Sequence, residues 1–442
     1  GAGTDVSLDD AISYAVNRLS AEPRSVITWD LDSAWQGTRE DGTKDGATKE
    51  PAPDEQPAGI LPIPDYTGDF WDRNTLTGDW NGARTTLATD AGIQLDLSFT
   101  QFVLSVVDGG RDTKTKYGGV VDTRIRLDLK RMGLLPGALL DIRGLSRYGE
   151  FISSESGQVL PVTNNAIIPE TLPAYGDELM VVTNLSYAQF LSPHFGVYLG
   201  LLDVYDGDPN EFASGRGGTQ FLNYNLQFPS SVAVVPANAL GAGILVLPTE
   251  WITIQSSLLN ATLASGRTGF EDIDGGIWAT SVMLQYQLGD LPGGFNANAL
   301  YFFDKERLEF GKLSLQPGEG LVQGTEDTSW AAYFSLWQYL YTEDAPGDKP
   351  LNTLDGRADL QGIGVFGRLA FADEDTNPWK FFFSVGIGGR GIIPGRDHDT
   401  FGVGFFYSEI SSNLFSVSTG RVDDSEWGLE AYYDLAITPA VN

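Results

Sequence analysis

The 442-residue sequence has no cysteine and only two histidines, His194 and His398. The first absence excludes a disulfide framework, a thiolate metal site and a Cys nucleophile, and the second leaves no imidazole cluster for a transition metal. Basic residues are also scarce: 28 Lys and Arg stand against 59 Asp and Glu, for a net charge of -31. Phosphate-backbone recognition needs a basic footprint, so nucleic acid is not an expected partner. No stretch approaches the roughly 20 apolar residues of a membrane-spanning helix, so any crossing of a bilayer must be made with strands. No nucleophile elbow or close carboxylate pair marks an enzyme. The glycine spacing from Gly362 to Gly367 satisfies a dinucleotide-loop pattern, but it lies inside an alternating segment and not between a strand and a helix.

Glycine is plentiful, with 53 residues, and aromatics make up 12% of the chain, a composition suited to many strands joined by turns. The chain starts Gly1-Ala2-Gly3 with neither an initiator methionine nor a basic-then-apolar leader, which reads as a mature form whose export signal has been removed. Residues 1–22 are expected to carry an amphipathic helix. Leu8, Ala11, Ile12, Ala15, Val16 and Leu19 recur at helical spacing, Ser7 is placed as N-cap, and Pro23 lies beyond the end. Its narrow apolar stripe would let it dock on the rest of the protein or on a periplasmic partner. Residues 23–74, which include Pro51 to Pro57 (PAPDEQP), are rich in Pro, Gly and acidic residues and read as a linker without a core. Residues 75–92 are expected to hold a second short helix closed by Gly92.

From Ile93 to the end of the chain, period two takes over. Thr123, Ile125, Leu127 and Leu129 make one face of a segment whose other face is Asp122, Arg124, Arg126, Asp128 and Lys130. The same alternation recurs in Ile93/Leu95/Leu97/Phe99, Phe381/Phe383/Val385/Ile387, Phe401/Val403/Phe405/Tyr407 and Trp427/Leu429/Ala431/Tyr433. A soluble sandwich alternates too, with its polar face outward. Segments of about ten residues bounded by Trp278, Trp330, Tyr339, Tyr341, Trp379 and Trp427 instead match strands crossing a bilayer between aromatic girdles. Counting gives about fourteen strands, starting near residues 93, 119, 137, 178, 195, 238, 250, 275, 292, 328, 357, 379, 398 and 425. Tight turns such as 135–137, 192–194 and 291–294 alternate with long polar stretches such as 153–177 and 304–328, as in a channel with short turns at one end. Residues 93–442 are therefore expected to form one all-β, transmembrane antiparallel β-barrel.

The stretch Leu76-Thr77-Gly78-Asp79-Trp80-Asn81-Gly82-Ala83-Arg84, followed by Leu87 and Gly92-Ile93, resembles the opening signature of the OprB family of carbohydrate-selective porins. The run Gly362–Tyr407, with FGRLAF, NPW, FFFSVGIGGRGIIPGR and DHDTFGVGFFY, is similar to that family's late strands. The resemblance covers roughly residues 70 to 438. It implies a sixteen-stranded barrel in the bacterial outer membrane, with inward-folded loops and a short helix near the periplasmic mouth, passing sugars passively and without a cofactor. Family members continue beyond the position of Ile437-Thr438-Pro439 with a final hairpin, so either that hairpin is absent from this chain or the barrel closes differently.

A sugar-selective constriction calls for planar hydrogen-bonding groups and aromatic faces. Arg124, Arg126, Asp128, Asp141, Arg143, Arg368, Arg390 and Glu430 fall on the inward parity, with Tyr333 and Trp337 as stacking candidates. Asp203, Asp206, Asp208 and Glu211 offer hard oxygen ligands of the kind Ca²⁺ takes, without EF-hand spacing; solvated loop charge is the competing account. The expected partners are small sugars, outer-membrane lipid and further copies in a homotrimer. A general, weakly selective porin and a barrel-anchored adhesion protein are the alternative functions.

Overall fold

The structure, a computed structural model, describes residues 59–150, 152–157, 180–204, 208–214, 218–249, 251–262, 270, 272–316, 320–343, 360–411 and 424–442. The expected helix in residues 1–22 and the linker as far as residue 58 lie outside them. Sixteen strands are found among the described residues. Fourteen form one antiparallel sheet in chain order: β1 (Ile93–Ser105), β2 (Thr115–Asp128), β3 (Ala138–Gly149), β4 (Val181–Ser192), β5 (Phe195–Asp203), β6 (Asn238–Thr249), β7 (Ile252–Asn260), β8 (Gly276–Leu288), β9 (Leu291–Phe303), then β12 (Ser329–Thr342), β13 (Gly362–Ala372), β14 (Trp379–Arg390), β15 (Thr400–Ile410) and β16 (Ser425–Asp434). The other two, β10 (Arg307–Gln316) and β11 (Gly320–Glu326), pair only with each other inside the long connection after β9. The fourteen starts counted from period two all correspond to strands of the large sheet. The Gly362–Gly367 pattern lies within β13.

Alternation gives the sheet two unlike faces, and their polarity is the reverse of a soluble sandwich. In β2 the charged parity, Arg124, Arg126 and Asp128, is buried at 4%, 3% and 1% exposure. The other face exposes Leu97 and Phe99 of β1, Leu199 of β5, Val385 and Ile387 of β14, and Leu429 of β16, the arrangement expected of a sheet facing hydrocarbon around a polar interior. Trp278, Tyr301 and Trp330 are outward cross-strand neighbours on β8, β9 and β12, and Tyr407 is opposite Trp427 on β15 and β16. They form a girdle at one end. Two of the expected girdle aromatics face inward instead. Tyr339 is 3% exposed, because a register shift between Tyr339 and Tyr341 turns only the latter outward. Trp379 is buried against Tyr224 and Ile410.

The connections β4–β5, β6–β7 and β8–β9 take two residues each, whereas those at the opposite end include 150–180, 204–237 and 304–328. The sheet curls around a lumen, since a single cavity touches residues of β2 to β9 and of β12. Among the described residues, two segments fold into that lumen. One is the β5–β6 connection, with a short helix α2 (Tyr224–Gln227). The other is Gly59–Tyr66, at the turn end. It precedes helix α1 (Ala83–Thr89), which falls within the expected 75–92. Residues 59–66 therefore depart from the linker reading: Ile60, Leu61 and Tyr66 are almost completely buried, because the apolar run Ile60-Leu61-Pro62-Ile63 finds its partners on the inner wall of the sheet and not within its own neighbourhood.

Candidate functional site

The inner surface of β1–β3 carries a ladder of ion pairs. Cross-strand neighbours face the same way, so Arg124, Arg126, Asp141 and Arg143 share one surface. Arg124 makes a two-point contact with Asp141, Nε to Oδ1 at 3.0 Å and Nη2 to Oδ2 at 2.6 Å. Arg143 grips both oxygens of Asp122, and Arg126 donates to Asp96 at 2.8 Å. Asp96 also accepts from Arg84 at 3.0 Å, bringing α1 onto the ladder. The planar forks of arginine suit such paired carboxylates. Arg84 is positioned locally by the run Gly78 to Arg84: Trp80, Asn81 and Gly82 adopt positive φ, a region Gly and Asn tolerate best, and the Asp79 carboxylate accepts from Thr85 N at 2.7 Å.

The opposite inner wall is covered. Phe212, Phe221 and Leu226 of the β5–β6 connection pack on Trp337, Tyr339, Phe366, Phe382 and Phe406 of β12–β15. Glycines on the inward parity make the room. A Cβ at Gly388 would fall 2.8 Å from Phe212 Cβ, and one at Gly402 would fall 2.8 Å from Phe221 Cζ. Polar anchors complete the attachment. Arg368 donates to Asp208, to Leu226 O at 2.7 Å and to Ala213 O at 2.5 Å. Glu430 accepts from Leu222 N at 2.7 Å and Asn223 N at 2.9 Å. Asn210 Nδ2 reaches Leu336 O at 3.1 Å.

Between the ladder and the infolded connection lies a cavity of about 320 Å³, at the small end of the roughly 300–1,000 Å³ typical of small-molecule sites. Its lining includes Arg124, Asp141, Arg143 and Asn184 together with Tyr224, Phe228, Tyr333 and Trp337. Tyr198, Gln255 and Ser257 add a hydroxyl-amide cluster in which Gln255 Nε2 donates to the Tyr198 hydroxyl at 2.8 Å. The cavity lining thus combines fixed hydrogen-bonding groups with aromatic side chains.

A family model described as carbohydrate-selective porin, OprB family, matches residues 112–442. The chain belongs to the OprB family. It is a porin of the bacterial outer membrane. The match begins after the Gly78–Arg84 signature, which lies outside it. The high-pH structure of Pseudomonas putida OprB is similar at 17% identity and a TM-score of 0.68, covering 84% of this chain and 92% of that one. The low-pH structure of the same protein is similar at 16% identity and a TM-score of 0.50, over 84% and 91%. Both likenesses concern the fold. No curated protein sequence matches the chain.

Of the ten residues expected to touch solute, this porin brings Arg124, Asp141, Arg143, Tyr333 and Trp337 together around the cavity. The other five have different work. Arg126 is committed to Asp96. Asp128 accepts from the backbone N–H groups of Ile60 and Leu61. Arg368 and Glu430 hold the infolded connection. Arg390, at the turn end of β14, lies 3.1 Å from His398 Nδ1. They lie on the inward parity of their strands, but parity says nothing about which segment arrives opposite. The candidate calcium ligands are dispersed: Asp208 pairs with Arg368, Glu211 accepts from the Tyr339 hydroxyl at 2.9 Å, Asp203 sits on the cavity wall, and Asp206 is outside the described residues. No cluster of three His, Cys, Asp or Glu occurs among the described residues.

Asp96, Asp122, Asn184, Tyr198 and Gln255 were missed as site residues. The first two carried a usable signal, since they share the inward parity of the arginines that they neutralise. Outside the strands, burial together with the nearby Asp96 charge pushes the Tyr66 hydroxyl up to about 12. At Asp399, burial works against ionisation but hydrogen bonds from Arg396 and Tyr433 outweigh it and hold the carboxyl below its ordinary value.

Proposed function

We propose that this porin passes mono- and small oligosaccharides by passive diffusion, with the cavity between the arginine ladder and the infolded connection as its constriction. The observation that carries this reading is the presence of Arg124, Asp141, Arg143 and Asn184 in one cavity lining with Tyr333 and Trp337. A pyranose has hydroxyls around its rim and an apolar face. The paired arginines keep N–H groups in fixed directions without a large unbalanced charge, which favours a neutral hydroxylated solute over an ion. Stacking on an aromatic surface orients the ring. The test is single-channel conductance of the purified protein in a planar bilayer, with glucose and other sugars titrated on one side. Saturable block at millimolar sugar supports the proposal; steady current indifferent to sugar leaves a general porin, and absence of current removes the channel reading.

A further inference from the structure

The parts of the cavity lining differ in how much hydrogen-bonding capacity they leave open. The charged ladder is nearly sealed: Arg124, Asp141 and Arg143 are 4%, 7% and 2% exposed, and the two arginines are engaged by Asp141 and Asp122. On β7, β8 and β9 the lining is neutral. Gln255 is the cross-strand partner of Ser281, Ser281 of Asn298, and Asn298 of Tyr333, so one row runs across four strands at a single level. All four residues line the cavity. Gln255, Ser281 and Asn298 are only half-buried, and because side chains of one parity face one side of a sheet, what they leave uncovered faces the lumen.

The hydrogen bonds already made in this row fix what remains. Gln255 Nε2 donates to the Tyr198 hydroxyl at 2.8 Å, which leaves the Gln255 carbonyl oxygen as an acceptor. Ser281 Oγ donates to Oδ1 of the buried Asn296 at 2.7 Å, so its proton is spent inside the wall and its lone pairs remain. Asn298 Nδ2 has no hydrogen-bond partner, an unfavourable state for a covered donor that a ligand relieves. The terminal torsion of an asparagine is soft, so a small rotation turns this amide onto the cavity. We propose that Gln255, Ser281 and Asn298 form a neutral row that holds the hydroxyls of a passing sugar, with Asn298 as donor and the other two as acceptors, and that this row determines specificity together with the arginine ladder. A sugar hydroxyl both donates and accepts, so a row mixing the two roles serves neighbouring hydroxyls while adding no charge that would hold an ion. The inference rests on the cavity being the sugar passage.

Four proteins test it: the full chain, Asn298→Leu, Gln255→Met, and Val282→Leu on the lipid-facing parity of β8 as a control. Each is first checked for the heat-dependent electrophoretic shift of a folded barrel. Single-channel conductance is then measured without sugar and with glucose titrated on one side. Sugar-free conductance is expected to stay close to that of the full chain in all three variants, since no charge changes. The half-blocking glucose concentration is expected to rise about threefold to tenfold in Asn298→Leu and in Gln255→Met, the loss of one hydrogen bond, and to stay unchanged in Val282→Leu. Either of the two row variants decides the matter if the other does not fold. A folded row variant whose half-blocking concentration equals that of the full chain, or a control that shifts as far as the row variants, would overturn the row proposal while leaving sugar passage intact. A full chain whose current is indifferent to glucose removes the sugar reading itself.

Discussion

The two halves of the lumen use the same residue types for different ends. On β2 and β3 each inward arginine meets an aspartate of the neighbouring strand, and the result is a polar wall beside the cavity. On β13 the inward Arg368 meets Asp208 from a connection more than a hundred residues earlier in the chain, and the result is a filled wall. Solvent access separates the two cases. The Asp122 side chain opposite Arg143 is 20% exposed, so it can rehydrate if its partner is lost. The Asp208 side chain is 1% exposed and has no such escape. An ion pair beside water is adjustable and suits solute contact, whereas one sealed under apolar rings acts as a fastener.

The largest expected effect follows from that difference. Arg368→Met strands the Asp208 carboxylate and two carbonyls, and should cost about 3–5 kcal/mol, lowering the temperature of the heat-dependent electrophoretic shift and exposing the 208–226 connection to limited proteolysis. Gly402→Val comes next. Valine ordinarily favours a strand, yet here its methyls would meet Phe221 and Tyr432, so overpacking should destabilise by about 1–3 kcal/mol, read in the same assay. Arg143→Met, which leaves the 20% exposed Asp122 without this partner, should cost less than Arg368→Met, about 1–3 kcal/mol of stability, while weakening glucose block in the conductance titration about tenfold. A variant losing as much stability as Arg368→Met would show that the two walls are not distinct.

The smallest effect concerns the turn end, where Asp399 accepts from Arg396 at 2.7 Å and from Ala436 N at 3.0 Å, tying the segment after β16 to the β14–β15 connection. Its carboxyl is held below the ordinary value, so the folded form binds this proton less readily than the unfolded form. The stabilisation is present above the ordinary carboxylate range and is lost as pH falls through the lowered value, below about pH 4. Asp399→Asn should flatten the acid side of the stability profile, leaving the profile near neutrality almost unchanged in slope; thermal unfolding followed between pH 3 and 7 checks this.

Much of the barrel was legible because alternation is a local property. The strand beginning at Thr115 announces its two faces in consecutive residues, and a tight turn such as 193–194 reverses it within a few positions. The ladder was partly legible for the same reason: Arg124, Arg126, Asp141 and Arg143 lie on adjacent strands whose register follows from the turn between them. Arg368 and Glu430 follow the same alternation, but their partners come from residues 208–226, and nothing in their own strands indicates that arrival. The inward glycines Gly386, Gly388, Gly402 and Gly404 did carry a hint, since a strand interior without side chains marks close approach by another segment. Ile60 and Leu61 were hidden by their surroundings, as Pro and acidic residues around them resemble a linker.

The sequence by itself determined the class of this protein: charges on one parity and apolar residues on the other, without a long apolar run, leave a strand-built membrane channel as the structure that satisfies both faces. Only the tertiary structure decided which inward charges line the cavity and which serve as anchors. That choice depends on two segments folding back into the lumen, where burial strength is set by chain encounters far apart in sequence and not by the pattern of any one strand.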